Sequence, residues 1–503
     1  MSTAANDRRF AALVEWNKAK GGLLNPAVEI YYDPITNVSL RAKEVVTLDA
    51  DGHCAIVSCP LSTTLSVLNA LTGSPLSISS SGENRTQEQS EPAFPDYFLQ
   101  NVPPHVVSRF FLIQQYLLGP KSHWHPYIAS LPQPEHLASW NLPPFWPEED
   151  AAVLAGTNAG VAADEMADIA GRESKQGRRA LRDSGLDNWR EYSPLLYRWA
   201  YCIFTSRSFR PSLVVPPAVW ESLKIEHAKY LDGCEMDDFS ILMPLFDIAN
   251  HDPLVQATWD SESIPGECRL LVNGRNGQGY KPGEQIFNNY GLKTNSELLV
   301  AYGFVLPESD DLHNDYVHVR LQTQNSGDET TEKRPTKPRD FLISLNSLSS
   351  HRSVVGRARQ WIHDRQGLRN DFAHCQDALL WLFCEAYLRE QGLDHAGKVA
   401  RLAGILADPS PAEHEELIES LREFLLNKLQ SDYVKISAEG CEAMEALLAE
   451  CDGDDEAEGS ISDNQALAIR YLQAVVRVIQ NAMVALDPSI SFQHAPEDGE
   501  EEE

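Results

Sequence analysis

The sequence predicts an α+β protein in which two groups of short β-strands flank a mostly helical insertion and an all-helical segment follows. Three observations carry this reading. Residues 38–67 (VSLRAKEVVTLDADGHCAIVSCP and onward) mix β-branched residues with Gly/Asp turn signals, and so do ILMPLFDIANH, CRLLVNG and EQIFNNYG, with turns at Asn273–Gly274 and Pro282–Gly283. Beyond Arg339 the apolar spacing becomes helical. Two polar stretches, Ser77–Pro92 and Gln324–Arg339, have almost no apolar content and divide the chain. The resulting organisation is a first β-rich part over 1–94 ending in a flexible linker, a helical insertion over 95–235, and a second β-rich part over 236–323. A linker over 324–339, a helical domain over 340–491 and an acidic tail over 492–503 complete it.

Taken in order, the insertion opens with the helix-like run VVSRFFLIQQYLL, continues through a Pro- and Trp-rich packed loop to Pro147, and returns to helix at WREYSPLLYRWAYCIFTSRSF. The final part reads as helices at RDFLISLNSLSS, VVGRARQWIHDR, DALLWLFCEAYLRE, GKVARLAGIL, EELIESLREFLLNKL and NQALAIRYLQAVVRVIQNAMVAL. Leu417, Leu421 and Phe424–Leu425 show the spacing of one buried stripe.

Charge narrows the partners. The chain holds 42 Lys+Arg against 73 Asp+Glu, a net charge of −31, so phosphate backbones are repelled and a basic protein partner is favoured over nucleic acid. Eleven acids lie in two runs, Asp452–Glu458 and Glu497–Glu503. They read as a solvated loop and tail, or as a device that steers a basic substrate. Nine cysteines without a C-x-x-C pair indicate reduced thiols rather than a zinc ribbon or a disulfide framework, and no metal is expected. The opening MSTAANDRRF lacks a signal pattern, and no apolar run is long enough to cross a membrane, so a protein of the cytoplasm and/or nucleus is expected, with no membrane partner.

Two strings could carry chemistry. In MPLFDIANHDP (Met243–Pro253), a single turn could present the carboxylate of Asp247, the amide of Asn250 and the imidazole of His251. Taken alone, it reads more simply as a capping Asp with a buried Asn–His pair. In GEQIFNNYGLKTNSELLVAYGFV (Gly283–Val305), a short strand leads to Tyr290, and Gly291 permits a sharp change of direction. Thr294-x-x-Glu297 then forms a capping box that opens a helix bearing Leu298, Leu299 and Tyr302. Alone, Tyr290 and Tyr302 suit core aromatics with bonded hydroxyls as well as two phenols aimed at one cavity. His123-Trp124-His125 lacks a third ligand and reads as packing, while Asn273–Gly279 lacks a G-K-[ST] and reads as a hairpin loop.

Together, the Asn250-His251 pair and the later Gly283-Glu284 to Tyr290-Gly291 string resemble the two signature segments of SET-domain protein methyltransferases. The likeness is strongest to the branch of the Rubisco large-subunit methyltransferase. RAKEVVTLDADGHCAIVSCP, Gly119–Ala159 and RWAYCIFTSRSF agree with it, and the resemblance covers about residues 20–310. The helical C-terminal domain resembles that branch's substrate-binding domain in position and helix content. In one place the sequence departs from the family: the N-terminal G-x-G turn is replaced by Asn37-Val38-Ser39-Leu40-Arg41-Ala42.

The resemblance implies a SET domain with its pseudoknot, S-adenosylmethionine as cofactor, and methyl transfer to a protein lysine of a non-histone, possible ribosomal or translation-related, basic protein by a monomer. It implies that Arg41, Ser66, Val67, Leu68, Asn250, His251 and Tyr290 face the cofactor and that Tyr290 is catalytic. Arg207, Asp247, Tyr302 and Phe304 match substrate-side positions. Two alternatives stay open: an inactive SET-fold interaction protein, suggested by the missing glycines, and a protein-histidine methyltransferase.

Overall fold

The computed structural model describes residues 7–77, 91–274, 277–321, 339–385, 393–452 and 461–492. The acidic run beyond Asp452, the acidic tail and most of both polar linkers lie outside the described residues. The chain forms two units: Met1–Asn141 with Met166–Gly291, and Leu142–Glu165 with Leu292–Glu503.

The first unit is built on short antiparallel strands. Strands β1 (Leu23–Leu24), β2 (Val28–Asp33), β3 (Asn37–Ala42) and β4 (Cys54–Pro60) come first in the chain; β3 and β4 lie where the β-branched spacing predicts strands, and β1 and β2 precede that stretch. Strand β5 (Ser208–Phe209) lies within the insertion, and β6 (Ile241–Leu242), β7 (Ala257–Asp260), β8 (Glu267–Val272) and β9 (Gln285–Ile286) follow it. They assemble as sheets β1-β4-β8-β7, β2-β3-β9 and β5-β6. Each sheet except the last therefore joins strands from before and after the insertion. Along β8, burial alternates residue by residue, the period-2 mark of a strand with one face in the core.

Within the insertion, the apolar run becomes a helix, Pro104–Leu118, whose Phe110 is fully buried against Phe98, Tyr192 and Tyr197. The long helix Asn158–Asp183 contributes Gly177 to this core, where a Cβ would lie 2.2 Å from Cε2 of the Phe110 ring. A glycine inside a helix costs roughly 1 kcal/mol relative to alanine; here that cost is offset by the close approach of the ring. Glu173 of the same helix accepts from Tyr197 Oη at 2.9 Å and pairs with Arg109 and His105, so the half-buried carboxylate is satisfied.

The second unit differs from the sequence reading in three places. RDFLIS, read as helix, is a strand, β11 (Arg339–Ser344), paired antiparallel with β10 (Tyr316–Leu321). Phe341, Leu342 and Ile343 are all buried, and a run buried on both faces loses the alternation that would distinguish strand from helix. In VVGRARQWIHDR only Val354–Ala358 is helical. The buried Asp377 carboxylate instead takes the backbone N–H groups of Trp361 and Ile362 and an Arg365 guanidinium N–H, an arrangement that replaces the helix ladder. On the helix Glu415–Ile436 the buried stripe is Ile418, Leu421, Leu425 and Leu429; Leu417 is half-buried and Phe424 is exposed, with its ring 4.3 Å from Phe383.

Residues 142–165, grouped by sequence with the insertion, belong to this second unit. The buried Asp150 carboxylate accepts from Ser462 Oγ at 3.1 Å and Asn464 Nδ2 at 2.9 Å, tying the segment to the helix Asp463–Leu486. Among the described residues, no helix is long and apolar enough to cross a membrane.

Two outcomes are expected. Gly177→Ala should lower unfolding stability by about 1–3 kcal/mol in urea titrations despite the better helix former, because the methyl must displace Phe110. Burial holds the His313 imidazole down at about 4, with Nε2 on Ser353 Oγ at 2.9 Å. Its folded value lies below the unfolded one, so its stabilisation is present above about pH 6.5 and is lost as pH falls through 4. The stability difference between the protein and His313→Asn should therefore shrink by roughly 3 kcal/mol between pH 6.5 and 4 in chemical denaturation.

Candidate functional site

The site is assembled in the first unit where two distant segments run side by side. His251 and Asn288 form a parallel bridge. Asn288 N donates to Asn250 O at 2.7 Å, and Asp252 N donates to Asn288 O at 3.0 Å. This is the pairing at the centre of the expected pseudoknot. Asn288 is fully buried, and its Oδ1 accepts both Trp259 Nε1 at 2.7 Å and the Asn289 N–H at 2.8 Å.

The pairing delivers Tyr290. Its N–H donates to His251 Nδ1 at 3.1 Å, which puts the proton of the neutral ring on Nε2. The two rings stack at 5.0 Å with 13° between planes, and Tyr290 Oη donates to Ala249 O at 2.9 Å. Gly291 follows at φ 94°, the left-handed turn for which glycine is suited. Tyr290 is thus held at its backbone, its ring face and its hydroxyl, all by Ala249–His251.

Asn250 is half-buried and its Nδ2 lies 3.4 Å from Thr36 O, at the turn between β2 and β3. Gln285 Nε2 reaches Thr36 Oγ1 at 3.0 Å and Ser39 Oγ at 2.6 Å from the other side. Asn37 occupies this turn with φ 60°. Asparagine is among the few residues that tolerate left-handed backbone, so the turn keeps its shape without the family's glycines. Arg41, across β3 from Glu29, bonds that carboxylate at 2.7 Å and lies 4.7 Å over the Tyr31 ring.

Ser66, Val67 and Leu68 are all buried. Ser66 caps the helix Val67–Thr72 in a box with Asn69, and Val67 N donates to Ser108 Oγ at 2.8 Å.

Beside Ala249 lies a buried charged pair. Arg207 Nη1 approaches Asp247 Oδ2 at 3.3 Å and Asp247 O at 3.2 Å, and Tyr127 Oη donates to the same Oδ2 at 3.0 Å. Asp247 Oδ1 is shielded from solvent and has no hydrogen-bond partner. Burial pushes the Asp247 carboxyl above its usual range, with Arg207 and the Tyr127 hydroxyl pulling it back. Burial would lower the Arg207 value, but Asp247, the Tyr127 hydroxyl and the Tyr290 phenol together more than offset this and raise it.

Three aromatic rings that sequence reasoning missed pack on one another, among them Phe246, which precedes Asp247 in the chain. Phe209 lies 5.2 Å from Phe246 and 5.5 Å from Trp259, and Phe246 lies 6.3 Å from Trp259. Phe209 could have been found, since it closes the RWAYCIFTSRSF segment two positions after Arg207, where the helix Pro194–Arg207 gives way to β5. Trp259 carries no local signal, because only the fold brings it to Asn288.

Tyr302 and Phe304 belong to the second unit. The capping box forms as predicted: Glu297 N donates to Thr294 Oγ1, Thr294 N donates to Glu297 Oε2, and the helix ends at Gly303 with φ 77°. The rings of Tyr302 and Phe304 lie 6.3 Å apart, and the Lys293 ammonium sits 5.9 Å over Tyr302. His123 packs on Trp16 and Trp124 with Nε2 3.3 Å from Ser62 O, in keeping with the packing reading.

No family model matches the chain. It is 30% identical over 226 residues to the ribosomal lysine N-methyltransferase set10 of Schizosaccharomyces pombe, covering 45% of this chain and 36% of that one. It is 26% identical over 253 residues to the N-lysine methyltransferase SETD6 of Homo sapiens, 48% of each chain. It is also 26% identical over 265 residues to the actin-histidine N-methyltransferase of Drosophila melanogaster, 48% of this chain and 42% of that one. The chain thus spans less than half the length of these curated relatives. A solved SET domain of LSMT bound to methyllysine and AdoHcy matches its fold with a TM-score of 0.57 at 15% identity, over 96% of this chain and 92% of that one. Rubisco LSMT bound to AdoMet matches with a TM-score of 0.56 at 16% identity over the same shares. With the Asn250–Asn288 pairing and Tyr290 in place, the chain is similar over about half its length to SET-domain methyltransferases and shares the fold of the Rubisco large-subunit enzyme.

Proposed function

We propose that this chain is an S-adenosylmethionine-dependent protein-lysine N-methyltransferase whose acceptor is a basic, non-histone protein, with ribosomal or translation-associated proteins the first class to test. The observation that carries the proposal is the threefold hold on Tyr290 by Ala249–His251. A phenol that fixed can align an acceptor nitrogen, and alignment supplies most of what a methyl transfer requires.

The cofactor fits the residues present. The left-handed turn at Asn37, the half-buried Asn250 amide beside Thr36 and the guanidinium of Arg41 offer polar groups at one edge of the Asn250–Asn288 pairing. Bound there, S-adenosylmethionine would supply an electrophilic sulfonium methyl. Asn250 and His251 hold the cofactor's polar ends, and Tyr290 orients the nitrogen lone pair.

The acceptor must arrive neutral, and a lysine of ordinary pKa near 10.4 is unprotonated on the order of once in a thousand molecules at pH 7. Phe209, Phe246 and Trp259 form an apolar wall that destabilises an ammonium and lowers that value. Arg207 and Asp247 would contribute on the substrate side; in the second unit, Tyr302 and Phe304 carry ring faces of the kind that suits a methylated amine. The net charge of −31 favours encounter with a basic partner.

Tritiated cofactor and the purified protein, added to an extract lacking it, should label a lysine identifiable by mass spectrometry. Label on histidine would move the activity to the other branch represented among the relatives, and no cofactor binding by calorimetry at millimolar concentration would leave an interaction protein. Tyr290→Phe is expected to keep cofactor affinity and lower turnover at least tenfold, about 1.4 kcal/mol of transition-state stabilisation, read by steady-state kinetics. Asn250→Ala is expected to raise the cofactor dissociation constant measured by calorimetry while leaving the melting temperature of the unbound protein nearly unchanged.

A further inference from the structure

We infer that Tyr127 is a positioning residue which, together with Arg207, occupies one oxygen of Asp247 and keeps the other, Oδ1, open to an N–H donor of the bound substrate. The inference rests on the methyltransferase reading for its substrate, and on geometry for the rest. Tyr127 comes from the helix His125–Ser130, in the insertion, and is fully buried. Its hydroxyl donates to Asp247 Oδ2 at 3.0 Å, the same oxygen that faces Arg207 Nη1 at 3.3 Å. Two donors on Oδ2 and none on Oδ1 leave a carboxylate polarised in its bonding, with an acceptor that is buried and unmatched.

An unmatched buried acceptor costs about 1–3 kcal/mol, so such groups are normally paired. Here the pairing is completed when a donor arrives. The location suits a substrate donor, because Asp247 is two residues from Ala249, whose carbonyl holds the Tyr290 hydroxyl, and Phe246 contributes to the aromatic wall. Without the Tyr127 hydroxyl, the carboxylate would be free to rotate and present either oxygen to Arg207, and the direction of Oδ1 would be lost.

The groups facing Asp247 are Tyr127 from the insertion, Arg207 from the helix Pro194–Arg207, the Cys59 thiol of β4, and Tyr290 through Arg207. The Tyr127 hydrogen bond favours the ionised carboxylate. Its removal therefore raises the proton affinity of Asp247, and the ionised acceptor is lost at a higher pH.

The test compares the full-length protein with Tyr127→Phe, which keeps the ring and removes the donor. With a synthetic lysine-rich peptide as acceptor, kcat/KM should fall at least tenfold and the acid limb of its pH profile should move to higher pH, with cofactor affinity unchanged. Independently of activity, the carboxyl carbon of Asp247, labelled with carbon-13 and identified by its loss in Asp247→Asn, should titrate at higher pH in Tyr127→Phe. A folded Tyr127→Phe protein with both the carboxyl titration and the acid limb unmoved would overturn the inference, even if its melting temperature fell. If the unmodified protein methylates nothing but the carboxyl titration moves, the methyltransferase reading fails and the positioning of Asp247 by Tyr127 stands.

Discussion

The structure depends on one backbone pairing, Asn250–Asp252 against Asn288–Tyr290. Its two hydrogen bonds, at 2.7 and 3.0 Å, join segments nearly forty residues apart and run parallel, a geometry that no hairpin can make. Each bond adds on the order of 1 kcal/mol, too little to explain its importance by energy alone. What it contributes is position: it closes over fully buried residues, and every polar atom it orients becomes part of the site.

From that pairing the geometry spreads in two directions. Toward β2 and β3, Asn250 and Gln285 converge on Thr36, so the turn at Asn37 is held from both sides. Toward the insertion, Ala249 leads to Asp247, and Asp247 gathers Arg207 and Tyr127 from two separate helices. A buried ion pair of this kind contributes little net stability, because desolvation cancels much of the Coulomb gain. Its value lies in specifying where the carboxylate points. The same logic applies to the half-buried Glu173 in the insertion, which gathers donors from two helices, and to the buried Asp377 in the second unit, which gathers those of Trp361, Ile362 and Arg365.

The comparison of sequence and structure separates local from distant information. Asn250-His251 and the Gly283–Gly291 string were legible because their chemistry is written in short, ordered motifs, and the Thr294–Glu297 capping box forms as read because all its partners lie within one helical turn. The departure at Asn37 also resolves locally, through a residue that accepts left-handed backbone. RDFLIS was misread because a strand buried on both faces and a buried helix share the same apolar run. The stripe on Glu415–Ile436 keeps Leu421 and Leu425 as read and differs at Ile418 in place of Leu417 and at the exposed Phe424, because packing neighbours choose which flanking residue is buried. Ser66 opens the helix Val67–Thr72 through a capping box with Asn69, a local signal of the same kind as Thr294–Glu297.

By itself the sequence determined the α+β class, the order of strands and helices, and the identity of Tyr290, Asn250 and His251 as candidates, since each depends on residues near one another in the chain. Only the tertiary structure decided that Phe209, Phe246 and Trp259 form one wall, that Tyr127 shares Asp247 with Arg207, and that residues 142–165 join the second unit. These are contacts between segments tens to hundreds of residues apart. Periodicity and capping encode what the backbone does over one or two turns; which distant side chains meet is set by how the sheets and helices pack.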